Sequence, residues 1–299
     1  MNKLFLIFLF TISATAQIKG VVKDSITKEP IAYVSIFTDE KHAFQTEQNG
    51  SFTIDVKQNS KLTFHVFGYE SITVHASNNL EVFLKPKETE IEEIQVIGKK
   101  NSIQKEIDIY ESSGFRYHNY HQGYAILIKN DSSTKPCTFL SKIKFHTYSN
   151  INNSKLKMYV LNALPTSTIG EIKIFGDSII TVKKGHNGNE IDVSKFNIQI
   201  PQEGIFLCFE NLLIDENKYY YQTTGRMSTG EKRTIKQMKY ETEISVVPSD
   251  KFIVFNKRLE SWEKAQKIML DNPKSYENLL MRKYHNKYLT PSIKLTLTN

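Results

Sequence analysis

The sequence predicts an all-β chain: a small β-sandwich, then a larger jelly-roll-like β-sandwich that carries a short helical insertion. Three observations predict it. Apolar and polar residues alternate with a period of two through most of the chain, as in strands with one buried and one wet face. Gly, Asn, Asp and Pro clusters punctuate those runs at short, regular spacing. Helical spacing of apolar residues appears only near 261–288. With 39% hydrophobic residues, 18 Phe and 15 Tyr, the chain can fill more than one core.

Residues 1–16, MNKLFLIFLFTISATA, read as a secretory signal peptide. Lys3 is the positive end, Leu4 to Ile12 the apolar run, and Ala14-Thr15-Ala16 the cleavage site. The run is shorter than the roughly 20 residues a spanning helix needs, and no later run is long enough. The mature chain is therefore expected to begin at Gln17 without a transmembrane span, in the periplasm, at the outer membrane or secreted. No Cys follows the apolar run, so a lipid anchor is not expected.

Residues 17–86 are expected to form the small sandwich. Phe52, Ile54 and Val56 alternate with polar residues, as do Leu62, Phe64 and Val66, then Ile72, Val74 and Ala76, then Leu80, Val82 and Leu84. Turn signals separate them: Asp24-Ser25, Lys28-Glu29-Pro30, Gln48-Asn49-Gly50, Gly68-Tyr69-Glu70 and Ser77-Asn78-Asn79. About seven short strands at this spacing indicate a sandwich. A hairpin at Gly68–Ser71 would set His65 opposite His75, although a two-imidazole pair without a carboxylate or Cys is a weak metal site. Gly50 and Gly68 are expected at positive φ, and Phe52 and Tyr69 in the core.

Gly20, Asp24, Pro30-Ile31 and Val34, then Thr46 with Asn49-Gly50-Ser51-Phe52, then Phe67-Gly68-Tyr69, resemble the carboxypeptidase regulatory-like domain. The resemblance implies a transthyretin-like β-sandwich that is not the catalytic part of a peptidase. It also implies an exported protein of the Bacteroidota type, since this domain is common there and at the N-termini of TonB-dependent receptors. EIEEIQVIG in the following segment resembles the stretch before a receptor plug. The remaining chain is too short for a 22-stranded barrel and lacks the outward apolar belt.

Residues 87–114 are charged and poor in core residues, and read as a linker with one strand-like run at Ile91, Ile94, Val96 and Ile97. Residues 115–299 are expected to be the larger sandwich. Gly123–Asn130, Phe139–Ser149, Lys155–Asn162, IDVSKFNIQIP and GIFLCFENLLI read as strands with the one-sided alternation of antiparallel sheets. Glu171–Gly185 reads as a hairpin, or as a long strand broken at Gly176-Asp177. Trp262, Ala265, Ile268 and Met269, then Tyr276, Leu279, Leu280 and Tyr284, fall at helical spacing around Asn272-Pro273, a helix-start signal. The closing PSIKLTLT alternates again and should rejoin the sheet.

The formal charge of +7 admits attraction to an anionic surface. The lysines are scattered and form no basic block, so a solvated Lys-rich surface is the simpler reading, and no nucleic-acid partner is expected. Cys137 and Cys208 lie in no metal or redox motif; export permits a disulfide, and two free thiols remain equally open. His-x-x-Glu is absent, and His186 and Glu190 sit four apart in a Gly/Asn loop with no helix to aim them. No cofactor or metal is expected.

Two stretches mix aromatics with hydrogen-bonding groups, FRYHNYHQGY and KYYYQTTGR. Such a mixture stacks on sugar rings and bonds hydroxyls, although Tyr is also simply a good strand residue. Tyr117, His118, Tyr120, His121, Tyr220 and Trp262 are the candidate ligand-contacting residues. His118 and His121 form H-x-x-H without a third ligand. The expected function is a non-enzymatic envelope protein that binds a glycan, a peptide or an outer-membrane partner. One alternative is an exported hydrolase such as a glycosidase, using the acidic set Glu203, Glu210, Asp215 and Glu216. Another is a structural subunit of a surface assembly. Oligomeric state is left open.

Overall fold

A computed structural model describes residues 15–39, 43–87, 103–109, 122–226, 232–258, 261–272, 274 and 281–299. The chain forms two compact units, Met1–Ile91 and Glu92–Asn299. Both are built from strands, with helix confined to short 3-10 turns among the described residues. No described helix is long and apolar enough to cross a membrane.

The first unit holds β1 (Thr15–Asp24), β2 (Ser35–Thr38), β3 (Ala43–Gln45), β4 (Ser51–Lys57), β5 (Lys61–His65), β6 (Ile72–His75) and β7 (Leu80–Leu84). One sheet runs β4-β1-β7, with β1 antiparallel to β4 and parallel to β7; the other runs β3-β2-β5-β6. The period-two residues do what their spacing demands. Phe52, Ile54, Leu62, Phe64 and Val82 are buried in one core, and their polar neighbours face outward. Ile72 departs from the pattern and is exposed, because β6 is the edge strand and little packs over its end.

The residues that carry the family resemblance prove structural. A Cβ on Gly20 would lie 2.4 Å from the Leu80 carbonyl oxygen and 2.5 Å from the Phe52 ring, so only glycine lets β1 pass between them. Asp24 accepts hydrogen bonds from the Ile26 and Thr27 amides, at 2.6 and 2.9 Å, and from the Tyr69 hydroxyl at 2.9 Å. These donors hold its carboxyl below the usual range, the backbone bonds first. The Thr46 hydroxyl accepts from the Val34 amide and donates to the Ile31 carbonyl. Gly50 and Gly68 have positive φ, at 74° and 86°. The expected His65–His75 pair does not form. Thr63 pairs with Thr73, so His75 faces Lys61, and the His65 ring contacts the Ser71 hydroxyl at 2.8 Å.

The second unit holds β8 (Gln104–Asp108), β9 (Gly123–Ile128), β10 (Phe139–Ser149), β11 (Ser154–Ala163), β12 (Ile169–Val182), β13 (Gly185–Asp192), β14 (Ile198–Gln199) and β15 (Ile205–Asn211). It continues with β16 (Lys218–Arg226), β17 (Lys232–Tyr240), β18 (Glu243–Ile244), β19 (Val246–Ser249), β20 (Val254–Arg258), β21 (Ser261–Lys264), β22 (Tyr288–Pro291) and β23 (Ile293–Thr298). One main sheet runs β13-β10-β23-β8, with β14 and β18 also paired to β10. The other runs β12-β11-β15-β9-β20-β21. Their facing sides share one core, in which Ile143, Phe145 and Leu295 meet Ile126, Met158 and Phe209. The Phe145 and Phe209 rings stand 4.9 Å apart. β16 and β17 form a separate two-stranded ribbon, and β19 pairs with β22.

Several expectations are corrected. The stretch expected as a helical insertion forms no α-helix among its described residues: Ser261–Lys264 is a strand and the residues up to 272 are irregular. Trp262 lies on β21, paired with β20, and the backbone amides of Ala265 and Ile268 donate to Val254 and Lys287 rather than to carbonyls four residues back. Ala265 and Ile268 still reach the core, which a bent extended segment achieves as well as a helix. Arg282–Tyr284 forms a 3-10 turn with Tyr284 buried; Pro273, Tyr276, Leu279 and Leu280 lie outside the described residues. The expected loop around His186 and Glu190 is the strand β13. There Glu190 pairs with Lys144 at 2.8 Å and Lys142 at 3.4 Å. Of the two readings of Glu171–Gly185 the long strand holds as far as Val182: β12 is interrupted at Gly176-Asp177, where Met158 pairs with Ser178 but Val160 with Phe175, the first of three register shifts. Within 87–114, β8 pairs with the closing strand β23, while Ile91, Ile94, Val96 and Ile97 lie outside the described residues. Cys137 and Cys208 are both buried free thiols.

Candidate functional site

The outer face of the β12-to-β21 sheet carries a charged row. Pairing registers bring Lys157 of β11, Glu210 of β15, Gly123 of β9, Lys257 of β20 and Trp262 of β21 side by side. Residues that share a register row share a face. Gly123 is the gap in the row. With no side chain between them, the Lys257 ammonium reaches Glu210 Oε1 at 2.6 Å. A Cβ on Gly123 would also lie 2.4 Å from the Phe209 carbonyl oxygen. Lys157 Nζ lies 3.2 Å from Glu210 Oε2, and the Tyr159 hydroxyl donates to the same oxygen at 3.0 Å. Lys257 also stands over the Trp262 ring at 5.8 Å, and Lys173, paired with Asp177, over the Tyr159 ring at 5.2 Å.

This cluster is buried, with Glu210 only 2% exposed. Burial alone would raise the Glu210 carboxyl. The charges of Lys157 and Lys257 overcome it and hold the group down at about 2. The two ammoniums share one carboxylate and diverge. Burial pulls on both, but Lys157 is raised by Glu210, while Lys257, repelled by Lys157 as well, is lowered. Burial pushes the Tyr159 hydroxyl and the Cys208 thiol up, so neither is ionised near neutrality. The row is therefore a satisfied ion cluster with no activated nucleophile and no proton held on a carboxyl.

A cleft of about 470 Å³ opens in the second unit beside the paired strands β9 and β20. Ile107 of β8, Leu127 and Ile128 of β9, Lys264 of β21, Tyr288 of β22 and the loops after β9 and before β20 line it. Phe252 and Tyr288 supply aromatic surface, with Lys251 over the Phe252 ring and Lys267 over the Tyr288 ring. Asp131 and Asp250 are its carboxylates. Asp131 accepts from the Ser133 hydroxyl at 2.6 Å and amide at 2.8 Å, which hold it below the usual range. Asp250 pairs with Lys287 and, at 3.1 Å, with Lys267, and is lowered by both. Lys129, Lys251 and Lys264 make no ion pair among the described residues, so the lining has uncommitted positive charge.

Of the sequence candidates, Tyr117, His118, Tyr120 and His121 lie outside the described residues. Tyr220 is exposed on the β16–β17 ribbon and Trp262 half-buried on β21, on different sheets. The acidic set disperses: Glu210 is buried, whereas Glu203, Asp215 and Glu216 are exposed. Among the described residues no group of three or more His, Cys, Asp or Glu is placed to hold a metal. Apart from the Lys251-Phe252 dipeptide, the cleft has no signature in the sequence, because its lining comes from five separate stretches.

No curated protein matches the chain. Among solved structures it is similar to one from Bacteroides uniformis ATCC 8492, provisionally described as a carbohydrate binding protein. The identity is 10% and the TM-score 0.21, over 75% of this chain and 98% of that one. A DUF3823 family protein from Bacteroides ovatus ATCC 8483 is similar at 11% identity and a TM-score of 0.19, over 76% of this chain and 98% of that one. The N-terminal portion of the chain, residues 18–96, matches the family described as CarboxypepD_reg-like domain, the one its opening residues resemble.

Proposed function

We propose that the protein is a non-enzymatic binding module of the cell envelope and that the cleft of the second unit takes a glycan. The observation that carries this reading is the cleft itself, whose volume falls in the range of small-ligand sites, about 300–1,000 Å³. Aromatic surface from Phe252 and Tyr288 suits a sugar ring, and the lysines and carboxylates suit its polar edge. The state of the carboxylates supports binding over hydrolysis. A glycosidase needs one carboxyl that keeps a proton, yet Asp131, Asp250 and Glu210 are all held down by their donors. Export, which the signal-peptide reading of residues 1–16 supports, belongs to the same proposal.

A screen of residues 17–299 against immobilised neutral and acidic glycans tests it, alongside Lys129→Ala/Lys264→Ala. Both lysines are exposed, so the double variant keeps the fold. Retention of a glycan by the native chain and its loss in the variant is the expected result. Retention unchanged in the variant would remove the cleft from the proposal.

A further inference from the structure

The β16–β17 ribbon takes no part in the cleft or the charged row. Its nine residue pairs run from Lys218↔Tyr240 to Arg226↔Lys232, a length of about 30 Å at the usual rise per residue. Neither strand has a further partner among the described residues. A lone two-stranded ribbon is marginal in water, and this one is fastened at its base. Buried Asn217 bonds the Lys155 amide and carbonyl and the Leu212 carbonyl. Lys218 pairs with Asp215 at 2.5 Å, and Lys239 with Glu243 at 2.5 Å. Beyond the base, Lys232 to Met238 are all exposed.

The two strands contain six Lys and Arg and no Asp or Glu. Lys232, Arg233 and Lys236 make no ion pair among the described residues. Residues scattered along the sequence are thus gathered by pairing into a basic arm. The arm is also apolar in places: Tyr220 is 71% exposed, Ile235 47% and Met238 42%. Tyr220 and Met238 are directly paired, on the face that also carries Lys232 and Lys236.

We propose that this ribbon docks on an anionic lipid bilayer surface. Basic side chains draw a protein to such a surface, and aromatic and aliphatic ones enter its headgroup layer. Pairing with the ribbon of a second copy would set Lys232, Arg233 and Lys236 of each against those of the other, with no carboxylate on either strand. An acidic glycan offers charge but no apolar layer for Met238 and Ile235.

Co-flotation of residues 17–299 with vesicles tests the proposal. Mixed phosphatidylglycerol and phosphatidylcholine is compared with phosphatidylcholine alone, at low and high salt. The native chain should float with the mixed vesicles only. High salt, or Lys232→Glu/Arg233→Glu/Lys236→Glu, should cut the bound fraction by about tenfold or more. Tyr220→Ser/Met238→Ser should weaken binding at unchanged charge. All these positions are exposed, and an unchanged melting curve confirms the fold of each variant. The cleft variant Lys129→Ala/Lys264→Ala should float like the native chain, which separates this proposal from the glycan one. Equal flotation on neutral vesicles, native-like flotation of the charge-reversed chain, or undiminished flotation of Tyr220→Ser/Met238→Ser would overturn it.

Discussion

Glu210 is one carboxylate shared by two buried ammoniums, and the energetic consequences of the charged row follow from that ratio. Glu210→Gln would leave Lys157 and Lys257 buried without a counter-charge, which costs about 3–5 kcal/mol for a broken buried pair. Lys257→Met leaves a one-to-one pair and removes the ammonium that burial already disfavours, so it should cost clearly less. Replacing Lys157, Glu210 and Lys257 together by Met should recover most of the loss, because no buried charge is left unpaired. Thermal or urea unfolding of the three variants checks the order. The pH dependence has a definite sign. Glu210 is held at about 2 when folded, against 4.5 ordinarily, so the unfolded chain binds the proton first on acidification. Its contribution is complete above about pH 4.5 and is lost as pH falls through about 2. In an acid titration of stability, the triple-Met variant should flatten that segment of the curve.

At the scale of the element, Gly123 and Asn217 are the positions to test. Gly123→Ala would press a methyl group against the Phe209 carbonyl and close the gap that Lys257 crosses. It should destabilise the second unit by about 1–3 kcal/mol, as overpacking does, read from the denaturation midpoint. Asn217→Ala removes three bonds at the base of the ribbon and strands buried backbone groups, which cost about 1–3 kcal/mol each. Faster amide exchange in β16 and β17 should mark that loss. The strands were legible in the sequence wherever a one-sided face enforced alternation, as in β4, β5, β10 and β23. The stretch from Trp262 to Met269 was misread because spacings of three and four also fit a bent extended segment whose amides find partners on other strands. Lys157, Glu210 and Lys257 looked unrelated because register across a sheet, rather than nearness in sequence, assembles them. The cleft was invisible for the same reason.

For the whole molecule, each unit has its own buried cluster, one around Phe64 and Phe52 and the other around Phe145 and Phe209. Residues 17–91 produced alone should therefore fold with a cooperative transition, and in the full chain Glu210→Gln should lower the transition of the second unit only. Calorimetry of both samples checks this. In the first unit Gly20, Asp24 and Thr46, which carry the family resemblance, serve turns and packing. The proposed recognition is assigned to the second unit, with its cleft lined by Lys129, Phe252, Lys264 and Tyr288. The most direct measurement is mass spectrometry of a glycan recovered after prolonged incubation with residues 17–299 and with Lys129→Ala/Lys264→Ala. A binding cleft whose carboxylates stay charged predicts that the native chain retains the glycan and returns it intact, while the variant fails to retain it. A shortened glycan released by the native chain would contradict that.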